Sequence, residues 1–333
     1  MTSTPRPGAP APTRAAAPPV AVLGECVADA FTEGGEGAAS GLPTLGLSVF
    51  PGGGPANTAV ALARLGTPAR FLGRLSSDVF GRLFRERFAE SGVDLSRVVD
   101  AAEPSTLAIA TVGDGGSAEY AFHAEGAADF GWTAAELADS AAGPLSCLHT
   151  GSLALARQPG GAAIEGLLAG VGERATVSID PNVRPLLVEP AVYRERLARW
   201  CEYADILRLS DDDLAHLLPG TPPERAADEL HAAGVPLVVV TLGARGVLAS
   251  LDGSRLRVAA PETDVVDTVG AGDSFMAGML HALHTAGALG GRLDALGTEP
   301  LGSALEYGVR VSAAVCGVRG ANPPWGKELG GRG

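Results

Sequence analysis

The chain has 333 residues, 46% of them hydrophobic, and its 25 basic and 38 acidic side chains give a formal charge of −13. This length and composition suit a globular protein with a large core. The acidic balance argues against a nucleic acid as the main partner, because phosphate backbones are bound by basic surfaces. The four cysteines are scattered without a CxxC pair, which excludes a zinc framework or a disulfide scaffold and favours free thiols in a reducing compartment.

The N-terminal residues are dominated by proline and alanine. We predict that residues 1–18 form a disordered tail, because no apolar segment typical of a signal peptide precedes the first hydrophobic run. No apolar run approaches the ~20 residues of a membrane helix. The sequence therefore predicts a cytoplasmic protein that does not bind membranes.

Short apolar runs alternate with helical patterns along most of the chain. Val20–Gly24 and Ala69–Leu72 are predicted strands, and the apolar residues of 55–65 between them recur at helical spacing before Gly66. An amphipathic helix is predicted over Phe80–Glu90. Further strands are predicted at Leu145–His149, Thr176–Ile179, Ile206–Leu209 and Leu237–Thr241. This alternation predicts an α/β fold with a mostly parallel sheet and helices on both faces.

Two segments interrupt the alternation. Residues 31–50 are glycine-rich and irregular, whereas Leu107–Val112 and Ala118–Phe122 flank a GDGG turn that predicts a β-hairpin. Near the C-terminus, Gly243–Asp252 and Arg255–Val258 predict another hairpin. The last predicted helices are Ser274–Leu283 and Ala304–Cys316.

The segment DTVGAGD over residues 267–273 stands before an apolar helical stripe. We expect the helix to begin at about Asp273–Ser274, so that the preceding glycines leave backbone N–H groups open to an anion. A carboxylate at this point would repel a static phosphate, but it suits a base aimed at an acceptor hydroxyl while the N–H groups hold a transferring phosphoryl. Taken alone, the segment is equally typical of an aspartate N-cap after a flexible loop.

A second glycine-rich segment, GGGPAN over residues 52–57, stands at the start of the first predicted helix. Pro55 fits the first turn of a helix, and the glycines let a ligand approach the backbone closely. Asn57 offers a donor and an acceptor to a polyol. Taken alone, this segment is also typical of a simple turn. Neither glycine-rich segment completes GxGxxG, and no P-loop motif is present.

Together, the two segments resemble the signatures of the PfkB family of carbohydrate kinases. GGGPANTAVALARLG resembles the N-terminal signature and DTVGAGDSFMAGML the C-terminal one, within a resemblance that spans roughly residues 19–325. It implies a ribokinase-like three-layer αβα sandwich, with a mostly parallel central sheet and a small β-sheet lid from about 31–50 and 104–124. Residues 326–333 are expected to form a C-terminal tail. GECVADAF, HTGSLAL and DPNVRP (residues 180–185) resemble the fructokinase branch of the family.

The resemblance implies roles for individual residues. Asp273 would be the general base, with the N–H groups of Gly270, Ala271 and Gly272 as the anion hole. The sugar site would comprise Asp29, Gly53, Gly54, Asn57, Arg184 and Asp273. The ATP side would comprise Thr241, Gly243, Gly246, Asn182, Ser210 and Asp213. Asp267, with the backbone near Val269 and Gly320, resembles a monovalent-cation site for K⁺.

Some of these residues also have a simpler interpretation. Asp29 is also typical of a polar residue that follows a strand. The glycines of TLGARG are likewise typical of a β-turn. Many family members carry Asn-x-x-Glu near the Mg²⁺–phosphate region, where this chain has Ser210 and Asp213. The acidic run over 211–213 equally suits the first turn of a helix.

The resemblance implies an ATP- and Mg²⁺-dependent kinase that transfers the γ-phosphoryl to a sugar hydroxyl, with D-fructose as the expected acceptor. A 2-keto-3-deoxygluconate kinase or another PfkB sugar or nucleoside kinase remains open. From other classes, so do a non-catalytic sugar-binding regulator and a dinucleotide-dependent oxidoreductase. Because lid strands leave a sheet face to cover, we also expect a homodimer through the lid.

Overall fold

The computed structural model describes residues 17–32, 44–112 and 118–330. Within these ranges the chain forms fourteen strands and eleven α-helices. The strands are β1 Val20–Leu23, β2 Val27–Thr32, β3 Leu47–Gly52, β4 Ala69–Leu72, β5 Arg74–Ser76, β6 Val99–Ala101, β7 Thr106–Val112, β8 Ala118–His123, β9 Cys147–Gly151, β10 Thr176–Asp180, β11 Ile206–Ser210, β12 Leu237–Thr241, β13 Val247–Leu251 and β14 Ser254–Val258. The helices are α1 Gly54–Leu65, α2 Val79–Ser91, α3 Ala134–Ser140, α4 Ser152–Ala156, α5 Gly160–Val171, α6 Pro190–Tyr203, α7 Asp211–Leu217, α8 Pro223–Ala232, α9 Ala271–Thr285, α10 Thr298–Cys316 and α11 Gly326–Leu329.

Eight of the described strands form the main sheet, in the order β14-β13-β12-β11-β10-β9-β1-β4. The pairs from β12 to β4 are parallel, and β13 runs antiparallel to both its neighbours. Val20 and Val22 of β1 join one apolar cluster and Ala21 and Leu23 the other, because successive side chains of a strand point to opposite faces. Helices α1, α9 and α10 cover the first face, and α5, α6 and α8 the second. The predicted α/β sandwich is confirmed.

The start of α9 differs from the prediction. The helix begins at Ala271, with Gly270 as its N-cap at a φ of 78°, rather than at Asp273–Ser274. Glycine adopts this left-handed conformation without steric cost, so the chain turns into the helix earlier than the apolar stripe indicates. Asp273 therefore lies inside the first helical turn, and the N-cap interpretation is wrong.

A smaller sheet, the lid sheet, has the strand order β3-β2-β7-β8. Its antiparallel pair β7 and β8 is the predicted hairpin, whose GDGG turn lies outside the described residues. Residues 31–50 are not irregular throughout, because they include the end of β2 and most of β3, while 33–43 lie outside the described residues. The lid sheet also begins earlier than expected, at Val27.

A buried carboxylate ties the lid sheet to the rest of the molecule. Asp129 accepts a hydrogen bond from the Cys26 N–H at 2.9 Å and from the Thr106 hydroxyl at 2.7 Å. Cys26 precedes β2 and Thr106 begins β7, so one side chain holds the bases of both central lid strands. Burial raises the pKa of Asp129 to about 7.

We expect the raised pKa of Asp129 to make stability depend on pH. The folded protein holds the proton up to about pH 7, whereas an unfolded chain releases it near ~4, so this group's contribution to stability falls as pH rises between these values. Asp129→Asn does not titrate. The free energy of unfolding of the variant, relative to wild type, should therefore rise across this window, as measured by urea unfolding at several pH values. The exposed Asp139→Asn is the control, and a pH-independent difference for Asp129→Asn would contradict the expectation.

The chain ends and the cysteines complete the fold. All but the last two residues of the predicted N-terminal tail lie outside the described residues. The predicted C-terminal tail begins with α11, whose Leu329 packs against the cluster that contains α1. All four cysteines are free, and three are buried. No helix in the described part of the chain has the length and apolarity needed to cross a bilayer.

Candidate active site

The candidate residues converge at the carboxyl edge of the main sheet. Strands β10, β11 and β12 end at Asp180, Ser210 and Thr241. Because these strands are parallel, their last residues lie at one edge, where ligands of α/β proteins bind. Helices α1 and α9 begin at the same edge, and their first turns touch: Asn57 Nδ2 donates to Asp273 Oδ2 at 2.9 Å. The two glycine-rich segments, 216 residues apart in the sequence, thus form one site.

Asp273 lies half-buried in the first turn of α9. Burial raises the pKa of its carboxyl to about 6; the Asn57 hydrogen bond and the positive charges of Arg184 and Arg208 oppose this shift, whereas the charge of Asp180 adds to it. The group is therefore a carboxylate at neutral pH but a stronger base than an ordinary aspartate. Such a base suits proton transfer near neutral pH.

The backbone before Asp273 has the geometry of an anion site, with one difference from the prediction. The Ala271 N–H donates to the Thr268 carbonyl at 3.2 Å and is therefore already engaged. Among the described residues, the N–H groups of Gly270, Gly272 and Asp273 have no acceptor, as expected around the first turn of a helix. Gly270 has no side chain that could cap them. Two of the three predicted donors, Gly270 and Gly272, are thus open, and Asp273 adds a third in place of Ala271.

Asp29 lies on the opposite side of the site, within the lid sheet. It does not follow a strand but lies inside β2, opposite Phe50 of β3. Burial raises its pKa to about 6, against the opposing positive charge of the exposed Arg184. The same arginine acts on Asp273. The positive charge of Arg184 thus acts on both carboxylates.

Gly54 lies where α1 approaches the loop after β10. A Cβ atom on Gly54 would stand 2.7 Å from Asn182 Nδ2 and 3.2 Å from Asp273 Oδ1. The Asn182 backbone is in the left-handed region, with a φ of 42°. The missing side chain of Gly54 therefore leaves room between the Asn182 amide and the Asp273 carboxylate. The adjoining Gly53 is the N-cap of α1.

Ser210 and Asp213 bond each other at the start of α7. The Ser210 hydroxyl accepts from the Asp213 N–H at 3.0 Å, and Asp213 Oδ2 accepts from the Ser210 N–H at 2.8 Å. Asp213 Oδ1 accepts from the Val183 N–H at 2.7 Å. One oxygen of Asp213 therefore belongs to a capping box, and the other holds the loop that follows β10. Asp213 holds the loop that carries Asn182 and Arg184.

The remaining predicted residues are those expected to bind the nucleotide and a monovalent cation. Thr241 ends β12, and Gly243 and Gly246 flank the short turn before β13. Asp267 accepts from the Val269 N–H at 3.0 Å and from the Gly320 N–H at 2.8 Å. The structure thus brings together the three residues expected around a monovalent cation. The described residues contain no cluster of three or more His, Cys, Asp or Glu side chains that could hold a metal ion.

A family model described as pfkB family carbohydrate kinase matches residues 19–327. The chain belongs to the pfkB family of carbohydrate kinases. This membership removes the oxidoreductase alternative. In this kinase the two glycine-rich segments are in contact through Asn57 and Asp273.

Many of the similar proteins are named fructokinases, and one similar structure, with a TM-score of 0.74 at 26% identity, is an aminoimidazole riboside kinase from Salmonella enterica that covers 93% of this chain and 98% of that one. One from Rhizobium leguminosarum bv. trifolii is 36% identical over 240 residues, which cover 72% of this chain and 73% of the relative. The structure of a Xylella fastidiosa fructokinase with bound ATP has a TM-score of 0.80 at 25% identity and covers 93% of this chain and 97% of that one. A Vibrio cholerae O395 fructokinase in a fructose-, ADP- and calcium-bound form has a TM-score of 0.77 at 26% identity, covering 91% and 94%.

Sequence reasoning missed one charged residue of this kinase's cleft. Arg208 lies in the middle of β11, within the run ILRLS, and its Nη1 atom donates to Asp180 Oδ2 at 2.8 Å. The signal was available, because an arginine inside an otherwise apolar buried strand needs a buried partner. The partner Asp180 stands in the DPNVRP segment, which was singled out only as a family resemblance.

Proposed function

We propose that this kinase transfers the γ-phosphoryl of ATP to D-fructose. The similar structures named with ATP, and with fructose and ADP, support this pair of substrates. The observation that carries the proposal is the hydrogen bond between Asn57 and Asp273, because it joins the segment expected to bind sugar to the segment expected to bind phosphate.

The residues present fit a nucleotide phosphate. The open N–H groups of Gly272 and Asp273 stand at the start of a 15-residue helix, where the helix dipole also favours an anion. Thr241, Gly243, Gly246 and Asn182 would flank the nucleotide. Both oxygens of Asp213 are engaged, so we expect phosphates and water to supply most ligands of Mg²⁺. Bound Mg²⁺ neutralises phosphate charge during transfer.

In the proposed reaction, the side chains orient the sugar and accept one proton. Asp29 and Asn57 bind sugar hydroxyls, and Asp273 Oδ1, which is not the oxygen bonded to Asn57, accepts the proton of the reacting hydroxyl. Gly272 and Asp273 donate backbone hydrogen bonds to the transferring group. The positive charge of Arg184 helps to balance both carboxylates. The lid sheet, closed over the sugar, would exclude water and so limit wasteful ATP hydrolysis.

We expect ADP release with D-fructose, measured in a coupled assay across a panel of sugars, sugar acids and nucleosides. The highest kcat/KM should belong to D-fructose. If kcat/KM is higher for 2-keto-3-deoxygluconate or a nucleoside, that compound replaces D-fructose as the proposed acceptor, and the protein is still a kinase. Absence of ADP release with every compound, from protein that is folded by circular dichroism, would instead favour the non-catalytic sugar-binding alternative.

Four further expectations stay predictions. A lid-to-lid homodimer is favoured by Phe31, Phe50 and Tyr120, which lie on one face of the lid sheet and are each about half exposed. The free cysteines favour a cytoplasmic location. Asp267 with Val269 and Gly320 remains the expected K⁺ site. The division into a tail, a kinase domain and a lid likewise stays a prediction.

A further inference from the structure

Strand β11 carries one charged side chain into the interior. Arg208 lies between the apolar residues Leu207 and Leu209 and is only 5% exposed. Its Nη1 donates to Asp180 Oδ2 at 2.8 Å, and its Nη2 donates to the Thr241 hydroxyl at 2.6 Å. Asp180 ends β10 and Thr241 ends β12. The guanidinium therefore links the ends of three neighbouring strands beneath the cleft.

The same guanidinium lies beside Gly272 in the first turn of α9. A Cβ atom on Gly272 would stand 2.8 Å from Arg208 Nη2 and 2.9 Å from Nη1. The absence of a side chain at Gly272 is thus what lets the cation approach the anion site. Because protein screens charge less than water does, the field of a buried positive charge at this position is stronger than it would be in solvent.

The surroundings of Arg208 are acidic and incompletely satisfied. Burial lowers the pKa of the guanidinium, but the charges of Asp180, Asp213 and Asp273 outweigh this and raise it. The three carboxylates around Arg208 therefore hold it as a charged group despite its burial. In the described chain, Arg208 Nε and Asp180 Oδ1 are buried without a hydrogen-bond partner.

We propose that Arg208 is a positioning residue for phosphoryl transfer: a fixed cation behind Gly272 that holds Asp180 and Thr241 and balances the carboxylates around the transferring group. The inference rests on the proposed kinase function. Both terminal nitrogens of Arg208 are engaged by Asp180 and Thr241, so we assign it a role through these partners. Because its planar guanidinium is permanently charged and held by two partners, it stabilises developing negative charge without reorganising during the reaction.

The first test compares Arg208→Gln and Arg208→Lys with wild type. We expect Arg208→Gln to lower kcat by ~10²-fold, the effect of losing one preorganised electrostatic contact. We expect Arg208→Lys to lose only ~10-fold, because an ammonium keeps the charge but cannot hold both partners in a fixed plane. The control is Arg196→Lys, since the partly buried Arg196 pairs with the buried Glu165 at 2.8 Å on the α5–α6 side, outside the cleft.

A binding measurement separates positioning from general damage. Mg·ADP with aluminium fluoride and the best acceptor sugar mimics the transferring phosphoryl, whereas Mg·ADP alone lacks it. By calorimetry, we expect Arg208→Gln to weaken the aluminium fluoride complex by ~10-fold or more and Mg·ADP by less than ~3-fold. Equal weakening of both, together with a lowered melting temperature, would mean that Arg208 is merely structural and would overturn the proposal.

The pH profile gives a second readout. The groups that face Asp273 are Asn57 on α1, Asp180 and Arg184 at and after the end of β10, and Arg208 on β11. Arg208 favours the ionised Asp273 carboxyl and Asp180 disfavours it. Arg208→Gln should therefore shift the acid limb of kcat/KM to higher pH, and Asp180→Asn should shift it to lower pH. Arg208→Lys and Arg196→Lys should leave the limb in place.

The decision does not depend on Arg208→Gln folding. If that variant is unfolded, the other two variants provide the test. An Asp180→Asn enzyme whose acid limb of kcat/KM does not shift would overturn the proposal. An Arg208→Lys enzyme with wild-type kcat and wild-type affinity for the aluminium fluoride complex would also overturn it. A wild-type protein that releases no ADP with any acceptor contradicts the proposed function. An active wild type whose Arg208 variants keep its kcat, affinity and limb contradicts only this inference.

Discussion

Asp273→Asn is expected to lower kcat by ~10²–10⁴-fold, the usual contribution of a general base. The amide keeps the shape of the side chain, and its oxygen still accepts the hydrogen bond that Asn57 donates at 2.9 Å. It cannot accept a proton at neutral pH. Because the change also removes a charge whose ionisation burial disfavours, the melting temperature should stay equal or rise. Steady-state ADP release and thermal unfolding measure the two effects.

The pH dependence gives this prediction a signature. In wild type, kcat/KM should fall below about pH 6 as Asp273 becomes protonated, and Asp29, whose pKa is also about 6, should contribute to the same limb. In Asp273→Asn, the residual kcat/KM should no longer show the part of this acid limb that the titration of Asp273 causes. The exposed Asp264→Asn, in the segment that leads to the loop, is the control. Turnover of Asp273→Asn within ~3-fold of wild type would remove Asp273 as the base.

Gly54→Ala is expected to lower kcat/KM by ~10²-fold, the scale associated with misplacing reacting groups by about 1 Å. The added methyl would stand 2.7 Å from Asn182 Nδ2 and 3.2 Å from Asp273 Oδ1, so both groups must move apart or the acceptor must shift. The fold should persist, because alanine suits the first turn of a helix better than glycine.

The matched control for Gly54→Ala is Gly166→Ala on α5. A Cβ atom at Gly166 meets no atom within 4 Å, so this variant should keep its activity and gain a little stability. Circular dichroism and steady-state kinetics on both variants make the comparison. If Gly54→Ala kept wild-type kcat/KM, the gap between Asn182 and Asp273 would not be where the acceptor lies.

The sheet could be predicted because its strands are buried on both faces and therefore stand out as apolar runs between helical patterns. The lid sheet was harder. Strand β3, LSVFPG, exists because it pairs with β2 across the segment between them, and a local pattern does not reveal such pairing. For the same reason, the sequence pattern does not reveal that Asp29 lies inside β2, where it pairs with Phe50 of β3. The turn around Asp129, which holds both lid strands, leaves no local signal at all.

The candidate site was predictable where one segment supplies both a turn and a functional side chain, as at Asn57 and Asp273. It was not predictable where the function of a group depends on a partner distant in sequence. The Ala271 N–H is engaged by the turn that Gly270 makes, so Asp273 rather than Ala271 joins Gly270 and Gly272 as an open donor. The run ILRLS signals that Arg208 needs a buried partner but not which one, because its contacts, Asp180, Thr241 and Gly272, come from three other elements.

The capping box between Ser210 and Asp213 changes how the departure from Asn-x-x-Glu is understood. Each residue supplies one half of a reciprocal pair of hydrogen bonds, and the reach of the aspartate also suits the Val183 N–H. Asparagine is as good an N-cap as serine, and serine followed three residues later by glutamate is the usual capping box, so restoring either residue alone is compatible with the cap. What the present pair adds is that both oxygens of Asp213 accept backbone hydrogen bonds, one from Ser210 and one from Val183. Any ligand that approaches Asp213 must therefore compete with the scaffold that holds the Arg184 loop.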